Sequence, residues 1–249
     1  MSLLRIEGIS KWFGATQVLY DISFTFYPGQ INMIIGPSGC GKTVLLKCIV
    51  GLIRPETGKV FFGDVDFLKA SSEQKRSILK NLGMLFQSSA LFDSMTVGEN
   101  VAFPLRVFTR QPEKVIQDRV AYCLERVGLA GIQAKYPAEL SGGMKRRVGL
   151  ARAIALNPRY LFCDEPNSGL DPLTARRIDE LIQEITQEFQ TTTVVVTHDL
   201  KSMLDMGQRI LFLYQGRAEW QGTRTQLFRE LEALPPNLSN FLHASGLIR

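Results

Sequence analysis

Apolar positions recur along this chain with two different periods, and the changes of period mark where strands give way to helices. Leu3–Ile6 and Val18–Phe26 are dense in β-branched and aromatic residues, and Pro28-Gly29 closes the second run with a turn. Ile31–Ile35 is short and almost wholly apolar, the pattern of a strand buried on both faces. A helix is expected from Lys42 to about Ile53, stopped by Arg54-Pro55, with further strands at 58–62 and 82–86.

From Val97 to Leu156 the period becomes mostly helical. The predicted helices are Val97–Val107, Pro112–Val127 with its proline in the first turn, and Ser141–Leu156. After Pro158 strand and helix alternate again: Tyr160–Cys163, a helix over Pro172–Phe189, then strands at Thr193–Val196 and Ile210–Tyr214. This order predicts the α/β class: a mostly parallel core, an antiparallel β lobe at the start, and an inserted helical subdomain at about 88–157. Residues 1–222 read as one domain, and 223–249, which hold Pro235-Pro236, as a short amphipathic appendage. No internal repeat or low-complexity tract suggests a solenoid.

Composition narrows the class without naming a function. The chain has 249 residues, 45% hydrophobic and 21% charged, as expected of an ordinary globular core. Its net charge of +5 permits phosphate ligands or an anionic membrane face but does not demand nucleic acid, and no nucleic-acid partner is expected. No apolar run approaches the roughly 18–20 residues that cross a bilayer; Val148–Leu156 contains Arg152. The start, MSLLRIEGISKWF, lacks the apolar core and cleavage site of a secretory signal. The four cysteines, Cys40, Cys48, Cys123 and Cys163, are scattered and suit reduced thiols in a cytoplasmic protein.

Gly36-Pro37-Ser38-Gly39-Cys40-Gly41-Lys42-Thr43 matches G-x-x-x-x-G-K-[ST] between a predicted buried strand and a predicted helix, the context this motif requires. Glycines let the backbone curl until N–H groups point at phosphate oxygens, and the helix dipole adds positive potential there. Lys42 is expected to reach the β- and γ-phosphates, and the Thr43 hydroxyl to ligate Mg²⁺. Cys40 occupies a position that the motif leaves open. Kinases, GTPases, helicases and transport ATPases share this loop, so it does not choose among them.

Tyr160-Leu161-Phe162-Cys163-Asp164-Glu165 is an apolar strand ending in carboxylates. Such a strand delivers Asp164 to the carboxyl edge of a sheet, where it can hold Mg²⁺, and places Glu165 to polarise an attacking water. That division of labour points to hydrolysis. Leu140-Ser141-Gly142-Gly143-Met144 opens a helix with another cluster of backbone donors. Alone it is an ordinary cap and turn. Beside a complete phosphate loop it suggests an anion site for a different nucleotide, held by another copy of the chain.

The motifs GPSGCGKT, LSGGM, YLFCDEP, SGLD and VTHD, in this order, resemble the nucleotide-binding subunit of an ABC transporter over about Leu4 to Gly222. The resemblance implies a P-loop NTPase (RecA-like) core and ATP with Mg²⁺ as ligands. It implies that Phe13 stacks on adenine, that Gln87 senses Mg²⁺ and the attacking water, and that His198 holds the γ-phosphate and orients that water. It implies further that Ser141, Gly142 and Gly143 bind the γ-phosphate of ATP cradled by the opposite subunit of a homodimer, with Asp171 crossing the interface. The sequence departs from the family at two places. Val44 stands where a second hydroxyl often meets the α-phosphate, and Met144 replaces the commoner glutamine.

Residues 86–105, FQSSALFDSMTVGENVAFPL, are unusually apolar for a connection after Gln87 and suggest a groove for a helix of an integral-membrane permease, near Ala90–Leu105. With LSGGM and DEPNSGLDP, this stretch is similar to the ATPases of Mla-type (Mce-associated) bacterial phospholipid transport systems; Asn240-Phe241-Leu242 is similar to their C-terminal segment. The similarity implies an Mce-domain lipid-binding partner and a peripheral place on the cytoplasmic face of the inner membrane. The alternatives are an importer ATPase for amino acids, ions or sugars, and a soluble non-transport ATPase of the same type.

Overall fold

The computed structural model describes residues 3–244. The described chain separates into two compact units, one formed by the residues up to Arg76 together with those from Thr192 onward, the other by residues 77–191. The first opens with β1 (Leu4–Phe13), β2 (Thr16–Phe26), β3 (Ile31–Ile35), α1 (Lys42–Ile49), β4 (Thr57–Phe62) and β5 (Val65–Asp66). A polar helix, α2 (Ser72–Lys80), leads into β6 (Leu82–Leu85), α3 (Val97–Phe108), α4 (Glu113–Arg126), α5 (Gly142–Ile154), β7 (Tyr160–Asp164) and α6 (Pro172–Phe189). The chain then returns to the first unit as β8 (Thr192–Thr197), α7 (Leu200–Met206), β9 (Arg209–Tyr214), β10 (Arg217–Thr223), α8 (Arg224–Arg229) and α9 (Pro236–Ala244).

In the first unit an antiparallel sheet runs in the order β2-β1-β4-β5, the β lobe expected from the opening residues. Leu4 faces Phe26 on one side and Phe62 on the other, and the apolar alternation of β1 and β2 buries Leu4, Ile6, Leu19, Ile22 and Phe26. The register slips between Ile6 and Ile9, where Gly8 takes φ 63° and accommodates the bulge. A second layer pairs β3 in parallel with β8 and with β9, and β10 returns antiparallel to β9. Every residue of β3 and β8 is buried, so the runs that lack alternation are indeed covered on both faces. Asn32 is the polar exception, and its side chain is bonded to Tyr27, Gln30 and Thr193 backbone groups. The C-terminal segment is packed: Leu238 and Leu242 are buried and the Phe241 ring meets Phe212 at 5.5 Å.

In the second unit β6 and β7 pair in parallel, Leu82 beside Tyr160 through Leu85 beside Cys163. The helix α5 lies directly on β6. A methyl group at Gly83 would sit 2.3 Å from the Ala153 carbonyl, and one at Gly149 2.9 Å from Leu85 Cδ1. The start of α3 is fixed by a capping box, Thr96 accepting from Glu99 N and Glu99 from Thr96 N. Arg126 of α4 bonds Glu184 and Glu188 of α6, and the Tyr122 hydroxyl donates to Glu188.

The first strand, expected over Leu3–Ile6, runs on to Phe13 past the bulge at Gly8. The helix expected to run to Ile53 ends at Ile49, because Gly51 adopts φ 78° and Leu52 N donates back to Lys47 O, a glycine stop preceding the proline. The sequence pattern places no element at α2, α7 or β10: α2 buries no residue at all, β10 buries only Gly222, and α7, though Leu200, Met203 and Leu204 keep helical spacing, is only seven residues long. All four cysteines are buried and none is in a disulfide. Among the described residues no helix is long and apolar enough to cross a membrane.

Candidate nucleotide site

In the first unit β3 feeds the glycine-rich turn. Gly36 adopts φ 150°, and a Cβ there would lie 2.1 Å from Leu213 O and 2.9 Å from Cys40 Sγ, so the backbone passes where no side chain fits. Gly39 and Gly41 take φ 78° and 105°, conformations glycine supplies without strain. Gly41 is the N-cap of α1, and no side chain caps that helix. The positive end of its dipole therefore meets whatever approaches the loop, the arrangement that suits a phosphate. Lys42 is buried, its Nζ donating to Gly36 O at 2.8 Å and Pro37 O at 3.0 Å, which curls the loop around the ammonium. Ser38 and Gly39 form the exposed rim, Cys40 is buried, and Thr43 and Val44 are half-buried in the first turn of α1.

The parallel register pairs Ile35 with Thr197, so the residues following β3 and β8 leave the sheet at the same edge. His198 is exposed there, on a turn in which Asp199 N donates to Thr197 Oγ1 and Asp199 caps α7 by accepting from Lys201 N. Phe13 stands exposed at the end of β1 with Lys11 Nζ 5.2 Å from its ring centre.

The second unit repeats the device. Leu85 pairs with Cys163, which brings Phe86-Gln87 and Asp164-Glu165 to one sheet edge. Asp164 is 3% and Glu165 8% exposed, while Gln87 is exposed. Glu165 has φ 48°, a left-handed conformation that costs a non-glycine residue on the order of 1–3 kcal/mol and that collects at functional positions. Ser141 caps α5, its hydroxyl accepting from Met144 N at 3.2 Å. Gly143 is required because a Cβ would lie 2.5 Å from Thr174 Cγ2, and Gly142 lies close to Leu170. Asp171 caps α6, accepting from Leu173 N and Thr174 N; the Thr174 hydroxyl and those amides hold its carboxyl below the usual range. The structure thus brings Ser141–Gly143 and Asp171 together.

Residues 19–168 match the ABC transporter family. The chain belongs to that family. Solved cassettes have the same fold: a dimeric structure of a post-hydrolysis state of the ATP-binding cassette MJ0796 bound to ADP and Pi superimposes with a TM-score of 0.81 at 29% identity, covering 88% of this chain and 98% of that one. The "probable ribonucleotide transport ATP-binding protein mkl" of Mycobacterium tuberculosis (strain H37Rv) is 37% identical over 240 residues, 96% of this chain and 66% of that protein. The sulfate/thiosulfate import ATP-binding protein CysA of Mesorhizobium japonicum is 40% identical over 228 residues, 90% of this chain and 64% of that protein. The cassette therefore spans slightly less than two thirds of the length of these relatives.

Sequence reasoning missed Arg146. Lys145-Arg146-Arg147 looks like a solvated charge run, yet Arg146 is buried, and burial pulls its guanidinium below the usual arginine range against the opposing influence of Cys163, Asp164 and Glu165. The available signal was helical spacing, since Arg146 shares a face with Leu150 and Ala153. The stretch Ala90–Leu105 divides in two. Val97, Val101, Ala102 and Leu105 are core, whereas Phe92 and Phe103, 41% and 37% exposed with rings 4.9 Å apart, line a groove of about 370 Å³ with Ala90, Pro104, Met84 and Leu156.

Proposed function

We propose that this cassette is the ATP-hydrolysing subunit of an ABC transporter, working as a homodimer that closes on two ATP molecules and drives a membrane permease. The observation that carries hydrolysis is Glu165, buried at the end of β7 one residue beyond Asp164, with Gln87 leaving the neighbouring strand at the same edge. MgATP is the substrate. Among the described residues no cluster of three or more His, Cys, Asp or Glu could hold a metal alone, which suits a cation that arrives with its phosphates. Thr43, Asp164 and Gln87 supply its protein ligands. Gly36, Pro37, Ser38, Gly39, Cys40 and Gly41 wrap the phosphates with main-chain donors, Lys42 neutralises the β- and γ-oxygens, and Val44 offers only backbone. Phe13 stacks on the adenine. Glu165 accepts the proton of the attacking water, which His198 orients; the Ser141–Gly143 turn and Asp171 complete the γ-phosphate site of the other copy.

We read residues 1–222 as the cassette proper, about 88–157 as its helical subdomain and 223–249 as an appendage. The groove beside Phe92 and Phe103 takes a permease helix, an exposed apolar patch of the kind that marks an interface. The cargo we propose is phospholipid, moved between bacterial membranes with an Mce-domain partner, from the cytoplasmic face of the inner membrane. The sulfate/thiosulfate relatives favour a second reading, an importer of small solutes.

Glu165→Gln tests the catalytic half. The amide keeps the shape and loses the base, so turnover in the assembled complex should fall on the order of 100-fold or more while ATP still binds; turnover at the parent rate contradicts the role. Phe92→Asp tests docking: the permease should no longer copurify while ATP affinity and melting temperature hold. A copurified complex containing phospholipid and an Mce-domain protein supports the lipid reading, and a solute-binding protein in its place supports the importer.

A further inference from the structure

Two turns that carry the proposed chemistry meet on one side chain. Arg146 is 5% exposed in the second turn of α5. Its Nη1 donates to the carbonyls of Phe86, at 2.8 Å, and of Gln87; its Nη2 donates to the Ser168 carbonyl at 3.3 Å, and its Nε has no hydrogen-bond partner. Phe86 and Gln87 follow β6, and Ser168 closes the turn after β7, its own N–H donating to Glu165 O. The main chain on either side of the hydrolytic residues is therefore bonded to a single planar, permanently charged group. The Gln87 side chain remains exposed while its carbonyl is held.

We infer that Arg146 is a positioning residue for ATP hydrolysis: it fixes the Gln87 main chain against the turn that follows Glu165, so that the Gln87 amide and the Glu165 carboxylate keep one spacing. This rests on the hydrolytic role proposed above for Glu165. The guanidinium suits the task because its rigid fork of donors reaches three carbonyls on two turns at once. A lysine presents a single point of charge on a flexible stem and cannot span them. A misplacement of about 1 Å at a reacting centre costs on the order of 100-fold in rate, so a loosened Gln87 should register in turnover before it registers in binding.

The test is steady-state ATP hydrolysis by the full chain in its assembled complex, comparing Arg146→Met, Arg146→Lys, Gln87→Ala and the Arg146→Met/Gln87→Ala double variant, with Glu165→Gln as reference. Arg146→Met should lower kcat on the order of 10- to 100-fold with the ATP KM nearly unchanged, and Arg146→Lys should recover part of the loss. In the Gln87→Ala background, replacing Arg146 should cost less than about twofold more, because its effect passes through Gln87. A scaffold residue would instead lower the melting temperature and multiply its loss onto that of Gln87→Ala. Parent-like kcat in Arg146→Met, or full multiplication in the double variant, overturns the inference. If Arg146→Met does not fold, Arg146→Lys carries the same comparison, and parent-like kcat there overturns it as well. If Glu165→Gln turns over at the parent rate, the hydrolytic reading itself fails; if Glu165→Gln is inactive and Arg146→Met is parent-like, only the role of Arg146 fails.

Discussion

The helices α1 and α5 both begin beside glycines, one in each unit, and they treat their N-terminal amides in opposite ways. At α5 the Ser141 hydroxyl accepts from Met144 N, so the helix is capped by its own chain. At α1 the N-cap is Gly41, no side chain caps the helix, and the Lys42 ammonium sits inside the turn bonded to Gly36 O and Pro37 O. The glycines differ as well. Those of the first loop take φ of 150°, 78° and 105°, conformations that favour glycine, and Gly36 also passes too close to Leu213 O for a side chain, whereas Gly143 has no positive φ and is needed only for the close approach of α6 at Thr174. A helix start without a cap and with a cation beside it can hold a polyphosphate on its own. A capped one offers only a partial contact, which suits a site completed by a nucleotide already bound to another copy.

That contrast can be broken from either side. The largest effect belongs to Gly36→Ala, whose Cβ would fall 2.1 Å from Leu213 O. Backbone strain of about 1–3 kcal/mol, concentrated in the loop, should weaken ATP binding by roughly 10- to 100-fold in equilibrium titration. Next comes Gly143→Ala, whose Cβ would meet Thr174 Cγ2 at 2.5 Å; overpacking of about 1–3 kcal/mol should lower the melting temperature with ATP affinity unchanged. Ser141→Ala removes a cap worth about 1 kcal/mol, a melting shift of roughly 2–4 °C. The smallest effect is one the two units share. Burial pushes the thiols of Cys48 in the first unit and Cys123 in the second up to about 11. The thiolate is the reactive form, so alkylation of the folded chain at both positions should be negligible at neutral pH and appear only on unfolding.

Burial on both faces makes β3 span Ile31–Ile35 as the residues imply, and α6 spans Pro172–Phe189 as implied because Asp171 and Pro172 mark its start and one apolar stripe, Ile178, Leu181, Ile182 and Ile185, is buried. The phosphate loop was legible because its glycines, lysine and threonine are contiguous. Arg146 was not, since nothing in Lys145-Arg146-Arg147 says which cation turns inward until the sheet edge beside it exists. The same holds for residues 90–105. Apolarity alone cannot separate Val101, a core residue, from Phe103, which faces a groove; only the pitch of α3 against α5 does so. The end of α1 was misjudged because Arg54-Pro55 is the louder signal and Gly51 the nearer one.

The most direct test of this two-site account is ATP binding to the chain at concentrations where it is a single copy, measured for Lys42→Ala and Ser141→Arg side by side. Lys42→Ala should bind ATP at least about 10-fold more weakly, for loss of a charge-assisted contact worth on the order of 1.5–3 kcal/mol. Ser141→Arg should bind as the parent does and fail only when two copies must close. Loss of binding in Ser141→Arg equal to that in Lys42→Ala would mean that both helix starts serve one nucleotide in one molecule, and the account would be wrong.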